Sequence, residues 1–250
     1  MSDLAIQYVG GPTAVLEIGG VRLVTDPTFD APGDYPVGDR KLVKSAGPGI
    51  GADEVGAADL VLLSHDQHPD NLDRGGRDYL DRVPVVLSTA EAHSRLGDRV
   101  TPLPSWETYR SGRLRITAVP ALHGPAGCEP VVGEVTGFVL HGDNLPTVYV
   151  SGDNASLDHV RTIADRFGPV DVALLFAGGA RTPLIDAYLT LSSADAAEAA
   201  AILGARHVVP LHFEHWAHFS QGPDTLVEAF GAAGLSDRLH LLKPAGRFTL

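Results

Sequence analysis

Cysteine is almost missing from this chain. Cys128 is the only one, which excludes an internal disulfide and predicts folding in a reducing cytoplasm. Positive charge is scarce as well: 19 Lys and Arg against 31 Asp and Glu leave a formal net charge of −12. A surface of that sign repels phosphate backbones, so no nucleic-acid partner is expected. No apolar run approaches the roughly 18 residues of a membrane span, so no membrane partner is expected either. The opening "MSDLAIQYVGGP" lacks a basic segment followed by an apolar stretch, which predicts no export signal and a cytoplasmic location. Oligomeric state leaves no trace in the sequence.

What is present is histidine. The chain has eleven in 250 residues, and they are clustered. His65 and His68 form one group, His207, His212, His215 and His218 another, and His123 stands alone after an apolar stretch. The 44% hydrophobic content is enough for a substantial core, and with no repeat or linker the expectation is a single domain over residues 1–250.

The N-terminal part reads as short strands. "AIQYVGG", "AVLEIGG" and "VRLVTDP" are separated by the Gly10-Gly11 and Gly19-Gly20 pairs, which are hairpin signals. Phe29 to Gly56 is rich in Gly, Pro and Asp without periodicity and is read as one long loop. "ADLVLLSH", "VPVVLST", "GRLRITAVPALHG", "TGFVLHGDN" and "PTVYVSGDN" read as strands, with a short helix from Thr89 to Gly97. Beyond Asp153 helices and strands alternate. Helices open near Ser156, at Ser192 or Ser193, and at Pro223. "VDVALLFAGG", "RHVVPLHF", "LHLLKP" and "GRFTL" read as strands. This order predicts an α/β (α+β) fold of two sheets with helices outside.

Four apolar strands stop in a metal-capable residue: "LVLLSH" at His65, "ITAVPALH" at His123, "VYVSGD" at Asp153 and "HVVPLH" at His212. Strand ends on one rim converge in space, and a rigid sheet edge holds ligands accurately. Imidazole with carboxylate suits Zn, Mn or Fe. Alone, a histidine after a strand is usually a polar loop residue, and an Asp in "SGDN" is usually a turn former. Turn chemistry by itself does not readily produce four such endings in one chain.

The order of a histidine cluster, His, Asp and His on strand ends resembles the metallo-β-lactamase superfamily, closest to its cytoplasmic lactonase-like and phosphodiesterase-like hydrolases. The resemblance covers nearly the whole chain. It implies a four-layer αββα metallo-β-lactamase-like sandwich, with one or two divalent metal ions at one edge and Zn first among Zn, Mn and Fe. The segment "VLLSHDQHPDNLD" occupies the place of the family's His-x-His-x-Asp-His motif but departs from it. Aligned from the right, His68 is the second histidine and the loop holds one extra residue. Aligned from the left, Gln67 takes that place. The first register is preferred, because imidazole binds first-row metals better than an amide does. In either register Asn71 replaces a histidine of the second metal site, which the resemblance therefore makes weaker.

By resemblance, His65, His68 and His123 hold the first metal. Asp70, Asp153 and His212 hold the second, with Asp153 bridging and Asn71 or Gln67 as further candidates. Asp70 is the catalytic residue that orients the attacking water. Asp26, in "TDP", is a candidate to fix a ligand histidine's tautomer; a turn Asp before Pro27 is an equal reading. Candidate substrate contacts are Arg181, His215, Trp216 and His218. The expected activity is metal-dependent hydrolysis of a small anionic ester, lactone or phosphodiester. The alternatives are a nuclease of the same fold, or a degenerate protein that binds metal or ligand without turnover.

Overall fold

The computed structural model describes residues 4–250. Its strands are β1 (Leu4–Gly10), β2 (Thr13–Ile18), β3 (Val21–Thr25), β4 (Gly33–Val37), β5 (Arg40–Lys44), β6 (Leu60–Leu62), β7 (Val86–Ser88), β8 (Thr101–Pro102), β9 (Thr108–Ser111), β10 (Leu114–Pro120), β11 (Thr136–Gly142), β12 (Leu145–Val150), β13 (Val172–Phe176), β14 (His207–Leu211) and β15 (Arg247–Thr249). The helices are α1 (Ala52–Val55), α2 (Arg74–Leu80), α3 (Ala90–Leu96), α4 (Glu129–Val132), α5 (Leu157–Phe167), α6 (Ser193–Ile202) and α7 (Pro223–Ala232).

Two large sheets, in the orders β15-β1-β2-β3-β6-β7-β8 and β14-β13-β12-β11-β10-β9, accompany the two-stranded β4–β5 sheet. The alternation along their strands explains how they stack. Leu4, Ile6, Leu16, Leu23 and Leu60 of the first sheet pack against Leu114, Ile116, Phe138, Leu174 and Leu211 of the second in one buried cluster. The opposite face of the first sheet, with Val15, Val24 and Val61, is covered by Val55 of α1, Tyr79 and Leu80 of α2 and Ala92 of α3. The opposite face of the second, with Val139, Tyr149 and Ala173, is covered by Val160 and Ile163 of α5, the alanines of α6, and Leu226 and Phe230 of α7. The result is the expected αββα layering. Within the described residues, no helix is long and apolar enough to cross a membrane.

Local signals act as the sequence predicts where side chains cap helices. Thr89 Oγ1 accepts from Ala92 N at 3.0 Å, Ser156 Oγ from His159 N at 3.2 Å, and Ser192, rather than Ser193, caps α6 by accepting from Asp195 N at 3.1 Å.

Three readings need correction. The stretch from Phe29 to Gly56 is not one loop but contains the β4–β5 hairpin and α1. The hairpin is mostly solvent-facing, so it has no apolar alternation to betray it. Docking holds it in place: Ser45 N donates to the His215 carbonyl (2.7 Å) and Ala217 N to that of Val43 (2.9 Å). Lys44, buried, donates to Asp73 Oδ2 at 3.0 Å and lies 5.5 Å from the Trp216 ring centroid. Second, α2 (Arg74–Leu80) is a helix without a helical sequence pattern, because Gly75 and Gly76 dilute it. A side chain at position 76 is impossible, because a Cβ there would stand 1.8 Å from the Pro27 carbonyl oxygen. Third, "LHLLKP" is not a strand; Leu239 makes an isolated bridge to Val208.

Candidate metal centre

Three strands of two different sheets deliver their residues with the same offset. β6 ends at Leu62, β10 at Pro120 and β12 at Val150, so His65, His123 and Asp153 are each the third residue beyond a strand. β14 ends at Leu211 and His212 follows at once. That immediate delivery requires a backbone φ of 54° at His212, a left-handed conformation uncommon for a residue with a Cβ. It is held by His212 N donating to the Gly11 carbonyl at 2.7 Å.

The side chains meet in two groups. Ligand atoms of His65, His68 and His123 lie within 4.8 Å of one another, as do those of Asp70, Asp153 and His212. Asp153 joins the groups through different oxygens. Its Oδ2 is 3.5 Å from His123 Nε2 and 4.0 Å from His65 Nε2, while its Oδ1 is 3.5 Å from His212 Nε2. His212 Nε2 is also 3.3 Å from Asp70 Oδ2. Donors about 2.1 Å from one tetrahedral ion stand roughly 3.4 Å apart, close to these separations.

Outer partners fix the proton positions. His123 Nδ1 donates to the Leu189 carbonyl at 2.7 Å; a carbonyl only accepts, so Nε2 keeps its lone pair. His65 Nδ1 donates to Ser64 Oγ at 2.9 Å, and that hydroxyl donates to Asp26 Oδ2 at 2.5 Å, leaving the lone pair of His65 on Nε2 as well. That nitrogen stands 2.9 Å from His68 Nδ1, a hydrogen bond in which His68 Nδ1 donates and whose proton a metal ion would displace. Burial, with His68 and His123 alongside, pushes the His65 pKa well down. Burial beside His123 brings His68 to about 4. Both rings are therefore neutral at pH 7, as metal binding requires.

The second group is polar atoms without partners. His212 is fully buried, and neither of its ring nitrogens has a hydrogen-bond partner; Asp70 Oδ1 is buried and unpartnered too. Burial alone would raise Asp70, but His212 and His218 facing it outweigh that and hold it well below the usual range. Burial would lower His212, but Asp153 and Asp70 outweigh it and raise it. Orphaned buried groups cost roughly 1–3 kcal/mol each, more when charged, and a cation between the two carboxylates would satisfy the His212 Nε2 that faces them. The donor set thus fits a divalent ion in both groups.

Other sequence candidates are placed as follows. Asp26 is buried and accepts from Ser64 N at 2.6 Å, from Ser64 Oγ and from Asn71 Nδ2 at 3.0 Å. Burial nevertheless raises its pKa to about 7. It reaches His65 through Ser64, a relay that the Ser-His pair alone did not reveal. Gln67 points away from the centre and donates to Glu91 Oε2 at 3.1 Å, whereas His68 sits among the histidines. Asn71 does not offer its oxygen to the carboxylates; its Nδ2 donates to Asp26 and, at 3.2 Å, to Asp153 Oδ1.

A cavity of about 420 Å³ opens over the centre. His68, Asp70, His123 and His218 form its floor, Val37, Leu42, Val132 and Leu189 its apolar walls, and Arg40, Lys41 and Arg181 its basic mouth. Two candidate contacts lie away from this cavity. His215 faces Glu214 (3.6 Å), and Trp216 is buried against Tyr35 and Lys44; neither lines the cavity. Arg40, Lys41 and the Leu189 carbonyl were missed. No sequence signal marks a backbone carbonyl, and the basic pair lies in the stretch read as loop.

Residues 21–213 match the model of the beta-lactamase superfamily domain. The chain belongs to this superfamily. Within it, the chain is 28% identical to a UPF0173 metal-dependent hydrolase of Rubrobacter xylanophilus, over 96% of this chain and 93% of that one. A UPF0173 metal-dependent hydrolase of Methanosphaerula palustris is 34% identical over 68% of this chain and 75% of its own. In fold, the superfamily member described here superposes with a TM-score of 0.85 and 17% identity on the isothiocyanate hydrolase from Delia radicum gut bacteria, covering 98% of both chains.

Proposed function

We propose that this chain is a metal-dependent hydrolase of small anionic esters, lactones or phosphodiesters, with two divalent ions, Zn first among Zn, Mn and Fe. One ion is held by His65, His68 and His123 and the other by Asp70 and His212, with Asp153 shared. The observation that carries the reading is Asp153, whose two oxygens face different groups, next to a fully buried His212 that has no other partner.

When bound, the metals lower the pKa of a water and polarise the oxygen of the scissile group. The protein's own residues do the rest. Asp70, kept ionised, orients the attacking water and takes its proton through the unpartnered Oδ1. Ser64 and the Leu189 carbonyl lock His65 and His123 in the Nδ1–H tautomer, with the lone pair on Nε2. Val37, Leu42 and Leu189 exclude water around the apolar part of the substrate. The basic mouth attracts the anionic part. Its cations already have exchangeable partners: Arg181 meets Asp186 at 2.9 Å, and Arg40 donates to Thr182 Oγ1 at 2.6 Å. The non-catalytic alternative draws on Asn71, whose side chain is committed to two carboxylates.

The test is elemental analysis of protein purified without added metal, followed by a panel of aryl esters, lactones and phosphodiesters with and without chelator. The reading expects two metal equivalents and chelator-sensitive hydrolysis of at least one anionic class. A folded, metal-free protein that gains nothing on metal addition would contradict it. Full metal occupancy with no turnover of any class would leave the non-catalytic binder.

A further inference from the structure

The two groups are unequally furnished, because the motif position that resembles a ligand histidine holds Asn71. Its Nδ2 is fixed between Asp26 Oδ2 (3.0 Å) and Asp153 Oδ1 (3.2 Å). The amide thus turns its nitrogen to both carboxylates, and an amide nitrogen is no metal ligand. The second group therefore keeps Asp70, Asp153 and His212.

A further imidazole stands beside that group from another part of the chain. His218 lies in the segment after β14, and its Nε2 is 3.1 Å from Asp70 Oδ2. His212 Nε2 is 3.3 Å from that same oxygen. The His218 Nδ1 is buried and has no hydrogen-bond partner, so a surface hydrogen bond does not explain the ring's position. Its backbone is anchored, with Arg181 N donating to the His218 carbonyl at 3.1 Å and Ala217 N to that of Val43 at 2.9 Å. The ring rests on Phe219, centroids 4.5 Å apart. His218 and Asp70 line the cavity, whereas Asp153 and His212 do not. His218 thus approaches from the open side, where a further donor would close the group.

Resting on the two-metal reading, we propose that His218 is a protein ligand of the second metal, replacing from the post-β14 segment the histidine lost at Asn71. A neutral imidazole added to two carboxylates and one histidine shifts the donor set toward Zn, Fe or Co and away from Mg. The competing explanation is an ordinary His218–Asp70 ion pair with no role in metal binding.

The experiment is a titration of chelator-treated full-length protein with Co²⁺, followed by visible absorption and equilibrium dialysis, for wild type, His218→Ala and His218→Gln. The Gln variant retains bulk against Phe219. The proposal expects two equivalents in wild type. In both variants it expects the weaker equivalent to lose at least about tenfold in affinity, with an altered absorption band, and the tighter one to be unchanged. Adding Asn71→His to His218→Ala is expected to recover part of the lost affinity. Unchanged binding of both equivalents in the folded variants overturns the proposal, as does a wild type that takes up one equivalent insensitive to His218. Wild type that binds no metal defeats the two-metal reading itself.

Discussion

The two donor groups at the rim sit a few ångströms apart yet are built on opposite principles. The first is three imidazoles from strand-end loops, and the proton positions of His65 and His123 are dictated from outside by Ser64 and the Leu189 carbonyl. The second is two carboxylates and an imidazole with bare, buried polar atoms, and nothing in the protein satisfies His212. The first is organised before any ion arrives, whereas the second sets two carboxylates against one buried ring, whose pKa they raise. The expected consequence is a tight, nitrogen-rich first site and a second whose occupancy depends strongly on conditions.

The largest effect that would separate or merge the two is expected from Asp153→Ala. Because its oxygens face both groups, both metal equivalents should weaken by more than the roughly 10–100-fold cost of losing an outer partner. Loss at one site only, seen by elemental analysis, would show that Asp153 is not shared. Next in size are His123→Ala and His212→Ala, each expected to deplete one equivalent and spare the other in the same assay. If both variants lose the same ion, the division into two groups is wrong.

A smaller effect concerns protons. In chelator-treated protein, His65 and His68 stay neutral when folded, His68 down to about 4, while the unfolded rings protonate near the ordinary 6.5. Their contribution is complete above pH 6.5 and is lost as pH falls toward about 4. Asp26 acts oppositely. Its pKa, raised to about 7, makes the folded state the better proton binder between the ordinary carboxylate range and pH 7. Two rings outweigh one carboxyl, so urea midpoints of the metal-free protein should fall on acidification from pH 6.5 to 4.5. A flat or rising midpoint would place a charge, not neutral rings, in the first group. The smallest effect is Asp26→Asn. It should weaken the first metal roughly 10–100-fold through the Ser64–His65 relay, with less effect on the second, as dialysis would measure.

The same contrast marks what could be read in the sequence. Strand ends carrying His65, His123, Asp153 and His212 were legible because an apolar run followed by a ligand-type side chain is a local pattern. The helix caps at Thr89, Ser156 and Ser192 were legible for the same reason. What depends on another part of the chain was not. The β4–β5 hairpin is held by the loop after β14 rather than by its own apolar face. α2 is diluted by Gly76, which the neighbouring Pro27 carbonyl requires. Trp216 and His215, which follow the last strand end closely, looked like pocket residues but turn to pack Lys44 and Glu214. At the motif, spacing left Gln67 and His68 as alternatives. Geometry puts His68 with His65 and His123 and sends Gln67 toward Glu91.

The most direct measurement is anomalous diffraction from a crystal of the protein grown with its co-purifying metal, recorded at that metal's absorption edge. The account predicts two peaks, one enclosed by His65 Nε2, His68 Nδ1 and His123 Nε2 and one beside Asp70 and His212, with a different Asp153 oxygen turned to each. A folded protein with no peak at either place, and Asp153 hydrogen-bonded elsewhere, would contradict it.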